Sequence, residues 1–329
     1  MPDLLEHGGR IRQAAAHYGI PAADWLDLST GINPVGWPVP VVPGECWRNL
    51  PEDGDGLEQA ACDYYGCTDL LATAGSQAAI QALPRLRPPC RVGMLAPSYA
   101  EHALAWTQCG HDVAALVPAD IEAALDRLDV LLLVNPNNPT GNYFTAATLY
   151  GWQQRLAARG GWLVVDEAFM DATSQHSLAP CAGVEGLVVL RSLGKFFGLA
   201  GARVGFVLAW SALLVRLAEA LGPWTLANPS RWVAQQALQD EGWQLAERQR
   251  LARESQRLAG LLARHGLTPS GGTALFQWLE TGRAATIQDA LARQGIWVRR
   301  FDTPASLRFG LPGTEAEWQR LETALRGLR

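Results

Sequence analysis

The chain has 329 residues, 48% of them apolar, which is enough material for a sizeable core in one large domain or two. The formal charge is -5 with no block of Lys and Arg, so nucleic acid is not an expected partner. The longest apolar runs, such as 130–134, are far too short to cross a bilayer, the first ten residues lack the basic and apolar stretches of a secretory signal, and six scattered cysteines form neither a Cys-x-x-Cys pair nor a zinc spacing. A cytoplasmic protein with reduced thiols and no metal is expected.

Residues 1–45 are rich in Gly and Pro, with a helix expected over 10–18. Repeated prolines keep 31–40 from being a helix interior, so this stretch is expected to lie extended over the body of the protein. From about 56 to 210, short apolar runs alternate with amphipathic stretches. Runs 91–95, 130–135, 162–166, 187–191 and 204–208 read as buried strands, and 77–86, 121–128 and 145–159 as helices between them. This alternation predicts an α/β fold with a mainly parallel sheet that binds its ligand at the carboxyl edge of the strands. Residues 229–264 read as one or two long helices, with Pro229 near the start and Gly266 just past the end. From 267 the order strand, helix, strand, strand, helix suggests a small α+β domain. The expected division is therefore an extended segment at 1–45 packing on the active site, a large domain at 46–228, and a linking helix with a small domain at 229–329.

Four clusters fall at strand ends. Gly75-Ser76-Gln77 opens a helix, where free N–H groups can meet a phosphate, although such a turn alone is more often a plain cap. Asn135-Pro-Asn-Asn-Pro-Thr-Gly141 follows a strand and by itself reads as a turn. Asp166-Glu167-Ala168-Phe169 ends an apolar strand, where a carboxylate needs a donor or a cation. In Arg191-Ser-Leu-Gly-Lys195-Phe-Phe-Gly-Leu-Ala-Gly-Ala-Arg203, a lysine sits among apolar and glycine residues, where burial favours the neutral amine that imine formation needs. Ser192 and Arg203, three residues before and eight after, suit a phosphate.

Taken together and in this order, the four clusters resemble those of the fold-type-I pyridoxal 5'-phosphate (PLP) enzymes, related to class I/II aminotransferases, over nearly the whole chain. The resemblance implies a large domain with a mainly parallel central sheet and a small C-terminal α+β domain. It implies that Lys195 joins the cofactor aldehyde and shuttles protons at Cα, and that Asp166 pairs with the pyridinium nitrogen. It also implies that Asn138 donates to the ring O3' and contacts substrate, and that Tyr99 stacks on the ring. Ser76, Gln77, Ser192 and Arg203 would hold the cofactor phosphate, and Arg308 would grip the substrate carboxylate.

Two positions depart from the wider family. Phe169 stands where many relatives carry a tyrosine that donates to O3', which implies that the Lys195 linkage keeps its proton to higher pH. Leu50, in Arg48-Asn-Leu-Pro, stands where a tyrosine often reaches the partner subunit's cofactor phosphate, and it cannot make that bond.

At the N-terminus, His7-Gly-Gly-Arg10 and Ile32-Asn33-Pro resemble the L-threonine-O-3-phosphate decarboxylases of cobalamin biosynthesis, a branch in which Asp-Glu-Ala-Phe is at home. Some members carry Asn where Arg10 stands. By this resemblance His7, Gly9, Asn33 and Arg10 contact the substrate, a phosphorylated amino acid, and the enzyme is a cytoplasmic homodimer that removes CO2 from L-threonine O-3-phosphate. Two alternatives stay open on the sequence: an aminotransferase for a substrate such as histidinol phosphate, and a catalytically silent partner protein of the same pathway. An N-terminal His and an Asn before Pro are also common as capping and turn residues.

Overall fold

Twelve strands appear in chain order among residues 7–328, the part of the chain described by the computed structural model. They are β1 (Leu26–Leu28), β2 (Leu71–Ala74), β3 (Arg91–Leu95), β4 (Asp112–Leu116), β5 (Val130–Val134), β6 (Trp162–Asp166), β7 (Leu187–Ser192), β8 (Val204–Leu208), β9 (Gly271–Thr273), β10 (Phe276–Glu280), β11 (Ile296–Asp302) and β12 (Ala305–Gly310). The chain forms two units. The larger comprises Gly36–Asn138 and Tyr143–Leu245; the smaller comprises the described residues up to Val35, Pro139–Asn142, and the described residues from Ala246 on.

The larger unit holds a seven-stranded sheet in the order β2-β8-β7-β6-β5-β3-β4. Only β8 runs antiparallel to its neighbours; the other pairings are parallel. Every residue of β5, β6, β7 and β8 is buried. Strands covered on both faces can be continuous apolar runs without polar alternation, which is how these four read in the sequence. One face packs Val92, Val130, Leu132, Val164 and Val188 against Ile80, Leu83 and Trp106 from the covering helices. The expected strands at 91–95, 162–166 and 204–208 form over those residues, and the other two differ by one residue at an end.

Helix 77–86 is shorter than expected. It is α-helical over Ser76–Ala82 and tightens to a 3-10 turn over Leu83–Leu86, where Pro84 brings no N–H. Only one α-helical turn, Ile121–Ala124, forms within 121–128. β2, β4 and the helices Leu57–Tyr65, Ala100–Gln108 and Ser211–Leu221 add to the expected elements. β4 is an edge strand with no fully buried residue, so it carries no apolar alternation to read. Residues 36–43 carry no regular element, and Trp37 pins this stretch: its N–H donates to the Phe197 carbonyl at 2.9 Å and its indole Nε1 to Asp240 Oδ2 at 3.0 Å. The stretch expected at 229–264 forms as two helices, Asn228–Gln239 and Glu241–Arg264, and Asp240 at the break accepts from the Trp243 N–H at 3.0 Å.

The smaller unit holds the sheet β1-β11-β12-β10-β9, in which β1 pairs in parallel with β11 and the rest are antiparallel. The region after 267 contains one more strand than expected, the three-residue Gly-Gly-Thr of β9, too short and too glycine-rich to signal itself. The helix Glu315–Arg326 opens on a capping box between Thr314 and Glu317.

Candidate active site

The larger sheet gathers the chemistry-bearing residues at one edge. Asp166 is the last residue of β6, Ser192 the last of β7, and Tyr99 and Asn138 lie in the segments that follow β3 and β5. β2 shares the direction of β7, because both are antiparallel to the β8 between them, so Ser76 also lies at that edge. The register pairs Ala74 with Val204 and Ser192 with Gly205. Three segments distant in sequence therefore meet: Gly75-Ser76, Ser192, and Arg203 at the entry to β8.

The backbones there approach too closely for side chains. A Cβ on Gly205 would meet the Gly75 carbonyl carbon at 2.6 Å and also the Ser76 nitrogen. Gly75, at φ 71°, would place a Cβ 2.8 Å from Arg203 Nη2. Arg203 is itself held at φ 54°, a left-handed conformation rare for an arginine. Its exposed guanidinium thus lies over the start of the helix Ser76–Ala82, with Nη1 donating to the Ala200 carbonyl at 3.4 Å. An anion here would meet a guanidinium, backbone N–H groups and the Ser76 hydroxyl. Ser192 Oγ accepts from the Gly194 N–H at 3.2 Å, which fixes the turn leading to Lys195. Gln77 donates through Nε2 to Glu101 Oε2 at 3.0 Å, and its Oε1 accepts from the Tyr99 hydroxyl at 3.4 Å. Burial, reinforced by Glu101 and Asp166, pushes the Tyr99 phenol up to about 12.

Asp166 is buried at 3% exposure, and its two oxygens divide the work. Oδ1 accepts from the Ala168 N–H at 3.0 Å, and Oδ2 lies 2.9 Å from His102 Nε2. His102 is equally buried and meets the Tyr99 ring edge-on at 6.0 Å. Sequence reasoning missed His102; its signal was a lone histidine three residues after Tyr99 on the helix Ala100–Gln108, but only the fold brings it to Asp166. Lys195 is half-buried, with Nζ 5.5 Å from the centre of the Phe169 ring.

Behind these residues lies a fully buried ionic cluster. Arg191 donates to Glu167 Oε2 at 2.6 Å and to Asp171 Oδ1, and its guanidinium lies 4.5 Å from the Tyr65 ring centre. Glu167 also accepts from the Ser177 hydroxyl at 2.5 Å and the Leu178 N–H at 2.8 Å. Desolvation works against the Arg191 charge, but Asp171 and Glu167 outweigh it and hold the guanidinium above its ordinary range. The cluster ties the ends of β6 and β7 together immediately beside Asp166 and Ser192.

In the smaller unit Arg308 is buried on β12. Its Nη2 donates to the Ser29 carbonyl at 2.6 Å, and its guanidinium lies 5.2 Å from the Phe276 ring centre. Its cross-strand partner is Arg299. Burial first, and then the like charge of Arg299, bring Arg308 down to about 10, which leaves it a cation at neutral pH. A pocket of about 400 Å3 beside it is lined by His7, Arg10, His17, Trp297, Arg299 and Arg300, among others. Arg299 was not foreseen, because only the strand register sets it opposite Arg308.

Two expected substrate contacts have other partners in the structure. The Gly9 N–H donates to Ser29 Oγ at 2.8 Å, and a Cβ on Gly8 would collide with the Ser29 carbonyl oxygen, so the glycine pair serves the close approach of this segment to Ser29. Asn33 is buried at 3% exposure; its Nδ2 donates to Glu247 Oε1 at 2.6 Å, and its Oδ1 accepts from Arg250 Nη2 at 2.6 Å and the Val35 N–H at 3.0 Å. Both ends of that amide are hydrogen-bonded within the smaller unit.

The family model for aminotransferase class I and II matches residues 51–325. A threonine-phosphate decarboxylase of Pseudomonas aeruginosa is 60% identical over 99% of this chain and 98% of its own. Histidinol-phosphate aminotransferase 2 of Burkholderia mallei is 28% identical over 87% of this chain and 84% of its own. The crystal structure of a histidinol-phosphate aminotransferase from Sinorhizobium meliloti, in complex with pyridoxal-5'-phosphate, superposes with a TM-score of 0.84 at 20% identity, covering 99% of this chain and 96% of that one. The chain therefore belongs to the class I and II aminotransferase family and, within it, to the branch of the threonine-phosphate decarboxylases.

Proposed function

We propose that this chain is a PLP-dependent carboxy-lyase that converts L-threonine O-3-phosphate to (R)-1-amino-2-propanol O-2-phosphate and CO2, a step of cobalamin biosynthesis. The observation that carries this reading is the 60% identity, across essentially the whole chain, to a threonine-phosphate decarboxylase, against 28% to a histidinol-phosphate aminotransferase.

The residues fit the cofactor. Gly75 and Gly205 leave a side-chain-free cradle under Arg203 that suits a phosphate, and Asp166 is a buried carboxylate aimed from the end of a strand. When bound, PLP supplies an electron sink for the pair left at Cα as a substituent departs. Ser76, Ser192 and Arg203 hold the phosphate. Gln77 contributes its backbone N–H, because its side chain is engaged by Glu101 and Tyr99. Asp166, oriented by His102 and the Ala168 N–H, keeps a proton on the ring nitrogen. Tyr99, neutral across the working pH range, offers a ring face, and Asn138 donates to O3'.

Lys195 supplies the amine that joins the cofactor and later returns a proton to substrate Cα. To Arg308 we assign the α-carboxylate. The side-chain phosphate is assigned to Arg299 and His7, since a dianion suits a pocket so rich in cations. Gly9 and Asn33, each also bonded within the smaller unit, complete the proposed substrate contacts.

The working form is a cytoplasmic homodimer in this reading. Trp47, Leu50 and Trp224 of the larger unit are 69%, 62% and 63% exposed, and a second copy of the chain is the occupant that would cover them. No helix among the described residues is long and apolar enough to cross a membrane. The test is product analysis with PLP and L-threonine O-3-phosphate. CO2 and the amino alcohol phosphate, formed without a 2-oxoacid, are expected. Turnover only with a 2-oxoacid acceptor would assign the protein to the aminotransferases instead.

A further inference from the structure

The helix Leu57–Tyr65 ends at Gly66, held at φ 68° and ψ 34°. The Gly66 and Cys67 N–H groups both donate to the Cys62 carbonyl, at 2.8 and 3.1 Å. A bond from the second residue past a helix end back to this carbonyl defines a capping geometry in which those two side chains touch. In most helices that contact is between apolar groups, whereas here both residues are cysteines. Both thiols are free and each side chain is half-buried, so both are reachable from solvent.

We propose that Cys62 and Cys67 form a dithiol oxidation site that closes reversibly to a disulfide when the protein meets a small-molecule disulfide such as oxidised glutathione. The cap folds the residue two past the helix end back beside the one three before it, which is the kind of approach a disulfide needs. The balance is a thiol–disulfide exchange. The Cys62 thiolate attacks one glutathione sulfur and expels a glutathione thiolate, leaving a mixed disulfide. Cys67 then attacks Cys62 Sγ and expels the second glutathione, which takes the Cys67 proton. Two protein thiols are oxidised and one glutathione disulfide is reduced to two thiols. Burial pushes Cys67 up to about 12 and raises Cys62 less, so Cys62 attacks first and closure is slow at neutral pH.

The site bears on the machinery already described. Tyr64 and Tyr65, in the turn the disulfide would staple, reach Asp171 and Arg191: Tyr64 donates to Asp171 Oδ1 at 3.2 Å, and Tyr65 lies under the Arg191 guanidinium. Closure fixes the end of the helix that supplies both phenols to the cluster beside Asp166.

The experiment exposes the holoprotein to oxidised glutathione and follows it by non-reducing mass spectrometry with peptide mapping. The wild type is expected to lose two hydrogens, mapped to one peptide bearing Cys62 and Cys67, and to regain them with dithiothreitol. Cys67→Ser should trap glutathione on Cys62, and Cys62→Ser should leave Cys67 unmodified. The Pro180 side chain lies 3.7 Å from the Cβ position of Gly66, which makes Cys181 the rival partner for Cys67. A Cys67–Cys181 bridge, a lasting glutathione adduct on the wild type, or unmodified thiols after prolonged exposure would each overturn the proposal.

Discussion

His102 and Asp166 meet at 2.9 Å with both side chains buried, which places the histidine to orient that carboxylate. A hydrogen bond to a charged group contributes about 1.5–3 kcal/mol. His102→Phe is therefore expected to lower kcat by roughly 10- to 100-fold and to alter the visible spectrum of the bound cofactor, while KM for the phosphorylated substrate stays near that of the wild type. Steady-state kinetics with an absorbance scan separates this from a loss of fold, which would remove the spectrum altogether. Phe169, buried with its ring 5.5 Å from Lys195 Nζ, brings no hydroxyl to the neighbourhood of O3'. Phe169→Tyr adds a donor that draws charge off that oxygen, so the Lys195 linkage releases its proton more easily. The pH midpoint of the visible absorbance change should fall by about one unit, the equivalent of one hydrogen bond. An unmoved midpoint would remove Phe169 from the account.

At the scale of elements, two ionic groups tie parts of the larger unit together by different means. Arg191 is enclosed with Glu167 and Asp171, so its loss strands two carboxylates with no water to solvate them. Arg191→Met is expected to cost about 3–5 kcal/mol in urea unfolding. Neutralising both acids in the same protein, as Glu167→Gln with Asp171→Asn, should recover much of that loss. Arg231 joins the helix Asn228–Gln239 to Asp55 at 2.6 Å and to Glu58 at 2.7 Å, at the start of the helix Leu57–Tyr65. Burial opposes ionisation of Asp55, but the bonds from Arg231 win and hold its carboxyl below the usual range. The stability this adds is complete above the unfolded-state carboxylate value and disappears as pH falls through the depressed folded value. Asp55 is partly solvated, so screening trims the effect. Asp55→Asn should cost about 1 kcal/mol at pH 7, and the difference from wild type should vanish in unfolding curves taken in strong acid.

At the scale of the whole molecule, Lys195, Asp166, Ser192 and Arg203 belong to the larger unit, and His7, Arg299 and Arg308 to the smaller. Large aromatic residues left in water at Trp47 and Trp224 are costly for a monomer. Light scattering is expected to give a mass twice that of the chain, and Trp47→Glu with Trp224→Glu should shift it toward the monomer. A monomeric wild type that is fully active would refute that assembly.

Strand core, motif order and chemistry were legible in the sequence because each is local. A run such as 162–166 is apolar throughout since it is covered on both faces, and Asp166, Ser192 and Lys195 stand at fixed offsets from their strands. Edge strand β4 and the three-residue β1 and β9 were not legible, because pairing rather than side-chain pattern makes them strands. The same limit applies at the site. Two positions can each be compatible with a role, but whether a side chain is available for it depends on what the fold sets beside it. Asn33 reads as a turn former or a substrate contact from its motif, and only the fold shows that Glu247 and Arg250, more than two hundred residues away, bond its amide. His102 reads as an ordinary helix residue until the sheet brings Asp166 to it, and Arg299 gains its importance from the register that sets it across from Arg308. Offsets along the chain determined which atoms this protein possesses; long-range pairing, which no local pattern encodes, decided which of them remain free to act.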